Sequence, residues 1–233
     1  IKYKKTCAIL FVCSGNVTFS LGTTLLSIET NSPGFADNYL VFCPKGKLKQ
    51  SDVKALYTIT EKILFIEFVD DQILSSWKHL QIPQLDRWPA IVYSKLYFPL
   101  LLKNFKNVVC MDTDVLVLKN LAPLLDYGPL AWRATARPLK NRLDKPLAGV
   151  TDDTSWPNIA VMLASDELET FSPEYLFELA ATHPCAGSPL DEAAMSLLAF
   201  YNKIPVKLLP GEFHSYPATS VNGEDPFLVH SID

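Results

Sequence analysis

The segment Val108-Val109-Cys110-Met111-Asp112-Thr113-Asp114-Val115-Leu116-Val117-Leu118 sets two carboxylates between two apolar runs. Carboxylates avoid burial unless they are paired or coordinate a metal, so an acid pair delivered by a buried strand predicts a site for a hard divalent cation. With Asp at roughly 6% of positions, about one Asp-x-Asp arises by chance in a chain this long. The context gives this one its weight: a strand, the acid pair, a second strand, then the polar exit Lys119-Asn120. The plainer reading is that the two acids cap the turn after the strand, and the residues alone leave both open.

What precedes the acid pair predicts the sheet. Cys7 to Cys13 is a continuous apolar strand ending in Ser14-Gly15-Asn16, and Thr18 to Glu29 carries Phe19, Leu21, Leu25, Leu26 and Ile28 at helical spacing. Tyr39 to Cys43 reads as a strand, Ser51 to Tyr57 as a short helix and Ile63 to Val69 as a third strand. Ala90 to Lys103 is helical in pattern, with Pro99 expected to kink it or shift its start. Alternation of this kind predicts an α/β fold, a mainly parallel sheet with helices on its faces. Ligands of such sheets sit beyond the carboxyl ends of the strands, which puts Ser14-Gly15-Asn16 and Asp112-Thr113-Asp114 at one cleft.

Beyond the acid pair the alternation loosens. Leu130 to Ala134 and Asn158 to Ala164 read as strands, separated by a long loop from Thr135 to Pro157. Ser172 to Thr182 and Pro189 to Tyr201 read as helices, the second with Asp191 and Glu192 in its first turn, where carboxylates also complement the helix dipole.

At 233 residues the chain suits one well-cored domain, and no composition shift divides it. Apolar residues at 48% and charged residues at 20% match a globular enzyme, and a net charge of -4 without a basic run argues against nucleic acid as a partner. No apolar stretch is long enough to span a bilayer, and the N-terminus lacks the apolar core of a signal peptide. The chain begins with Ile1 rather than Met, as an excised fragment would. Five cysteines without a C-x-x-C pair predict buried, reduced thiols.

Taken together, these motifs resemble the glycogenin-type glycosyltransferases, family 8, which are retaining enzymes of GT-A fold that use UDP-sugars and manganese. The resemblance covers nearly the whole chain in order. The polar turn Cys13-Ser14-Gly15-Asn16 leading to Phe19 matches a nucleotide-binding turn with an aromatic that stacks on uracil. Tyr93-Ser94-Lys95-Leu96 matches a Thr-Lys-Leu motif whose Lys reaches the diphosphate, and Asp112-Thr113-Asp114 with its trailing Leu-Val-Leu matches the metal motif. Asn158, Asp191 and His230 keep single anchors of later motifs, while Ile159-Ala160 replace Ser-Gly and Glu192 replaces the usual Gln.

The resemblance implies a single GT-A domain over 1–233, with a nucleotide-binding half to about residue 120 and a donor-sugar and acceptor half from about 121. It implies that Asp112, Asp114 and His230 hold the metal, manganese or alternatively magnesium. Ser14, Asn16, Phe19 and Thr113 would serve the nucleotide, and Lys95 the leaving group. Asn158 and Asp191 would face the donor sugar. The expected reaction moves glucose or galactose to a glycan or protein-linked glycan. It acts in trans, because the only tyrosine between Tyr216 and Phe227 lies too close to His214 to match a self-glucosylated residue. A cytoplasmic location and a homodimer complete these expectations. Two other classes compete. One is a haloacid-dehalogenase-like phosphatase, which also carries Asp-x-Asp after a strand. The other is a catalytically weakened nucleotide-sugar-binding protein.

Overall fold

The computed structural model describes residues 3–15, 17–68, 90–185, 189–215 and 226–230. Strands β1 (Lys5–Val12), β2 (Asn38–Pro44), β3 (Ile63–Phe68) and β4 (Phe105–Met111) come first, interleaved with helices α1 (Thr18–Asn31), α2 (Gln50–Tyr57) and α3 (Phe98–Leu101). Strands β5 (Val115–Val117), β6 (Leu130–Ala134) and β7 (Pro157–Ser165) follow, then α4 (Pro173–Thr182), α5 (Leu190–Asn202), β8 (Val206–Leu208) and β9 (Leu228–His230). Seven strands form one mixed sheet in the order β3-β2-β1-β4-β7-β6-β8. The first four run parallel, β7 is antiparallel to both β4 and β6, and β8 runs parallel to β6.

The parallel strands are covered on both faces, which is why they read as unbroken apolar runs rather than alternating ones. In β1, Cys7, Ile9 and Phe11 pack under Leu21, Leu25 and Ile28 of α1. Ala8 and Leu10 enter the opposite core with Tyr93, Leu96, Phe98 and the apolar face of α5. All five cysteines are buried and free, as expected. Burial pushes the thiols of Cys7, Cys110 and Cys185 up to about 12, so they stay protonated and unreactive.

Pro99 reshapes the segment expected as one helix. A proline clashes with the carbonyl four residues back, which here is that of Lys95, and the segment is split: Ala90–Tyr97 winds as a 3-10 helix. The α-helix α3 starts at Phe98, with Pro99 in its first turn, where its missing N–H costs nothing. Val69, expected to end the third strand, lies outside the described residues. Two short strands carry no signal in the sequence pattern: β8 at the sheet edge, and β9, which pairs antiparallel with β5 as a separate two-stranded sheet.

Candidate active site

Asp112-Thr113-Asp114 sits where β4 leaves the main sheet. The Asp112 N–H donates to the Ala160 carbonyl at 2.8 Å, extending the β4–β7 pairing by one step. The Thr113 carbonyl accepts from Thr24 Oγ1 of α1 at 2.7 Å, which pins the turn from the other side. Both carboxylates are left half-buried at one cleft of about 400 Å³.

Strand pairing supplies the third member. Val115 of β5 lies opposite His230 of β9, and this register sets the imidazole beside the acids. His230 Nε2 is 3.3 Å from Asp114 Oδ1 and 3.8 Å from Asp112 Oδ2. One ligand atom from each of the three residues falls within 4.8 Å of the others. Oxygen and nitrogen ligands on one six-coordinate cation with bonds of roughly 2.1 Å lie about 3 Å apart, so small side-chain rotations would bring this cluster onto one divalent metal. Behind it, the buried His214 sets Nε2 at 3.1 Å from His230 Nδ1. Burial first, then the neighbouring His230, pushes His214 down to about 4, so it stays neutral and fixes the orientation of the outer ring. The burial of Asp114 opposes its charge, but His230 outweighs this and holds the carboxyl below the usual range.

Lys95 arrives from the 3-10 segment. Its three-residue period stacks Val92 and Lys95 on one side, and both line the cleft. Rather than a solvated position, Lys95 is buried, with Nζ 2.5 Å from Asp112 Oδ1. Burial lowers its affinity for a proton, but Asp112 and then Asp191 raise it further, so the ammonium stays charged well above the ordinary lysine range.

The opposite wall comes from β7 and α5. Asn158, the second residue of β7, accepts the Ala160 N–H at its Oδ1 at 3.0 Å, and it faces the cleft with Asp191 and Glu192. Asp191 is 2% exposed, and burial pushes its carboxyl up while Lys95 opposes the shift. Glu192 is half-buried and accepts from Trp156 Nε1 at 2.7 Å. Its burial outweighs that hydrogen bond and pushes the carboxyl up to about 7.

The structure thus brings together Lys95, Asp112, Thr113, Asp114, Asn158, Asp191 and His230. It does not bring in two others. Phe19 projects from the far side of α1 into a different cavity, and Ser14 is exposed and lines neither. Successive residues on a helix turn about 100°, so Phe19 lies roughly 200° from Leu21, which faces the core. Val17 and Ser20 take the places at the cleft. Asn16 lies outside the described residues. Sequence reasoning placed Glu192 at the position of a family Gln but gave it no role, and it missed the Trp156 that holds it. It also left His214 as an ordinary surface or core histidine. The one signal for His214 was its position just after Leu209-Pro210, within a stretch already matched to a family motif.

Residues 8–129 match the sequence model of glycosyl transferase family 8, which is more than half of the 233 residues. The chain belongs to that family. Solved structures agree over nearly its whole length. The galactosyltransferase LgtC, in complex with donor and acceptor sugar analogues, superposes with a TM-score of 0.75 at 16% identity, covering 97% of this chain and 87% of that one. The bifunctional glycosyltransferase WbbM gives 0.68 at 18% identity, over 98% of this chain and 46% of that one. Mouse xyloside xylosyltransferase 1 gives 0.64 at 13% identity, over 98% and 97%. None of the curated proteins compared matches the chain. The fold is GT-A, the chain is a glycosyltransferase, and the phosphatase alternative finds no support. No helix among the described residues is long and apolar enough to cross a membrane.

Proposed function

We propose that this family 8 member is a metal-dependent, retaining hexosyltransferase that moves glucose or galactose from a UDP-sugar to a glycan or protein-linked glycan acceptor. The observation that carries the reading is the convergence of Asp112 and Asp114, from the turn after β4, with His230 of β9, more than a hundred residues away, and with Lys95 alongside. An imidazole beside two carboxylates suits manganese better than magnesium, which prefers oxygen ligands. A divalent cation held there supplies Lewis-acid neutralisation of the diphosphate, worth several kcal/mol.

The chain's own groups carry the rest. Lys95, itself buried, places a fixed positive charge where the diphosphate leaves, and a charge held out of water acts most strongly. Val17 and Ser20 flank the nucleotide end of the cleft. Thr113 fixes the turn between the two acids. Asn158 contacts the donor sugar, and Asp191 stabilises positive charge developing at the anomeric carbon. Retention needs either a covalent intermediate or attack from the leaving-group side, and the carboxyls of Asp191 and Glu192 sit at the wall where either route would run. The chain acts as one GT-A unit over 1–233, nucleotide toward the first 120 residues or so and sugar and acceptor toward the rest. It works in the cytoplasm and in trans, as a monomer or homodimer.

The test is UDP release from UDP-glucose and UDP-galactose with manganese present and water as acceptor. Asp112→Ala and Asp114→Ala should each abolish metal-dependent release while circular dichroism stays native. Full activity in both variants removes the metal assignment. Metal-dependent UDP binding with no release from either donor makes the chain a nucleotide-sugar-binding protein instead.

A further inference from the structure

A second cavity, of about 670 Å³, lies between α1 and α2 on the far side of α1 from the acid cleft. One wall is a stripe on α1 formed by Phe19, Thr23 and Leu26, spaced four and three residues apart. Phe19 is 89% exposed and Leu26 56%, large apolar area to leave in water. The half-buried Ile59, with the buried Leu56 behind it, forms the opposite wall. Gly22 forms the floor, where a side-chain carbon would lie 3.5 Å from Leu56 and 3.7 Å from Ile59.

Lysines 47 and 49 stand at one end of this groove, whose lining also includes the carboxylate of Asp52. The stretch 45–54 holds four lysines and a single acid, Asp52, within a chain whose net charge is -4. All four ammonium side chains are exposed, and among the described residues none of them is ion-paired. Gly15 fixes the loop here. Its φ of +95° admits the close approach of the Lys47 carbonyl, which a side-chain carbon would meet at 3.3 Å. The groove is therefore polarised, cationic beside the β1–α1 turn and apolar toward Leu26 and Ile59.

We propose that this groove docks the protein peripherally on a membrane by taking up one anionic lipid. Its chain lies against the exposed Phe19 and Leu26 and the half-buried Ile59, and its phosphate lies on Lys47 and Lys49. The polarity fits an amphiphile with one charged end. An extended peptide would find no strand edge to pair with, because the apolar part of the groove runs between two helices, α1 and α2. A second copy of the chain would bring like-charged lysine clusters together. Clustered lysines strengthen attraction to anionic headgroups, and exposed aromatic and aliphatic side chains add burial at the acyl boundary. The inference is independent of every assignment in the acid cleft.

The test is co-sedimentation of the full chain with phosphatidylcholine vesicles, with and without phosphatidylglycerol. Binding is expected only with phosphatidylglycerol. Leu26→Ser and Lys49→Glu, both at exposed positions, should each lower vesicle affinity by about tenfold or more, while UDP release in solution is unchanged. Equal binding to neutral vesicles overturns the proposal. So does loss with Lys49→Glu but none with Leu26→Ser, which would be surface attraction alone. Self-association that disappears in Leu26→Ser assigns the groove to a second copy and overturns it too.

Discussion

Lys95 and Asp112 lie 2.5 Å apart, so a cation already rests on one of the carboxylates that the metal assignment needs. Removing it should separate two effects. In Lys95→Met the carboxyls of Asp112 and Asp191 lose their shared counter-charge, and the unfolding free energy should fall by about 3 kcal/mol. Manganese should bind no more weakly, because a competing positive charge is gone. UDP release should nevertheless drop on the order of 100-fold, as when a single preorganised stabilising group is lost. Calorimetric titration and a release assay on the same preparation check both halves. Weakened metal binding would mean that Lys95 orders Asp112 rather than serving the leaving group.

His230→Ala should weaken manganese more than magnesium, since the softer ion gains more from an imidazole. His214→Ala should lower manganese affinity on the order of 10-fold with all three proposed ligands intact, because it frees the ring that His214 orients through the 3.1 Å contact. Titration of both ions into both variants is the measurement. Equal losses for the two ions in His230→Ala would take the imidazole out of the metal site.

Asp191→Asn should leave UDP-sugar affinity nearly unchanged and lower kcat strongly, as expected of a group that acts on charge developing in the transition state. Because burial already disfavours the Asp191 carboxylate, the neutral isostere should melt within a few degrees of the parent. A normal kcat in this variant would make Asp191 only a counter-charge for Lys95.

Glu192 gives stability a pH slope of defined sign. Its carboxyl is near 4.5 when unfolded and is pushed up to about 7 by burial in the folded chain, so the native state binds the extra proton between those values. Stability should therefore be fullest below about pH 4.5 for this group and decline as pH rises through about 7, by at most on the order of 3 kcal/mol. Asp191, shifted the same way, adds to the decline. Urea denaturation at pH 5 and pH 7.5 should show a smaller difference in Glu192→Gln than in the parent. An unchanged difference would place the ionised carboxylate in a solvated setting.

The parallel half of the sheet is legible in the sequence because strands buried on both faces must be apolar throughout, and β1, β2 and β4 have no alternative. The acid pair is legible because it interrupts such a run. Lys95 is harder to read: the apolar pattern of the segment does not show which side meets the sheet, and only the fold shows that Val92 and Lys95 turn toward the cleft. Phe19 is misread for a related reason. Apolar spacing identifies α1 as a helix, but the stripe of Leu21, Leu25 and Ile28 faces the core, and Phe19 belongs to the other side. Glu192 stands out in the sequence only as a replacement for a family Gln and His214 only by its place after Leu209-Pro210, because what each does depends on distant partners, Trp156 and His230. The three-residue strands β8 and β9 are too short to show a period at all.

The pairing of Val115 with His230 joins positions more than a hundred residues apart. Closing so long a loop costs chain entropy before any contact offsets it, and contacts of this separation form slowly during folding. The imidazole therefore reaches the two carboxylates only after the intervening sheet has condensed. On the metal assignment proposed above, a chain arrested before β9 docks would hold the acids without their third ligand. Recovery of full manganese affinity during refolding then becomes a clock for the last step of assembly, and added manganese stabilises the finished fold over its precursors by mass action.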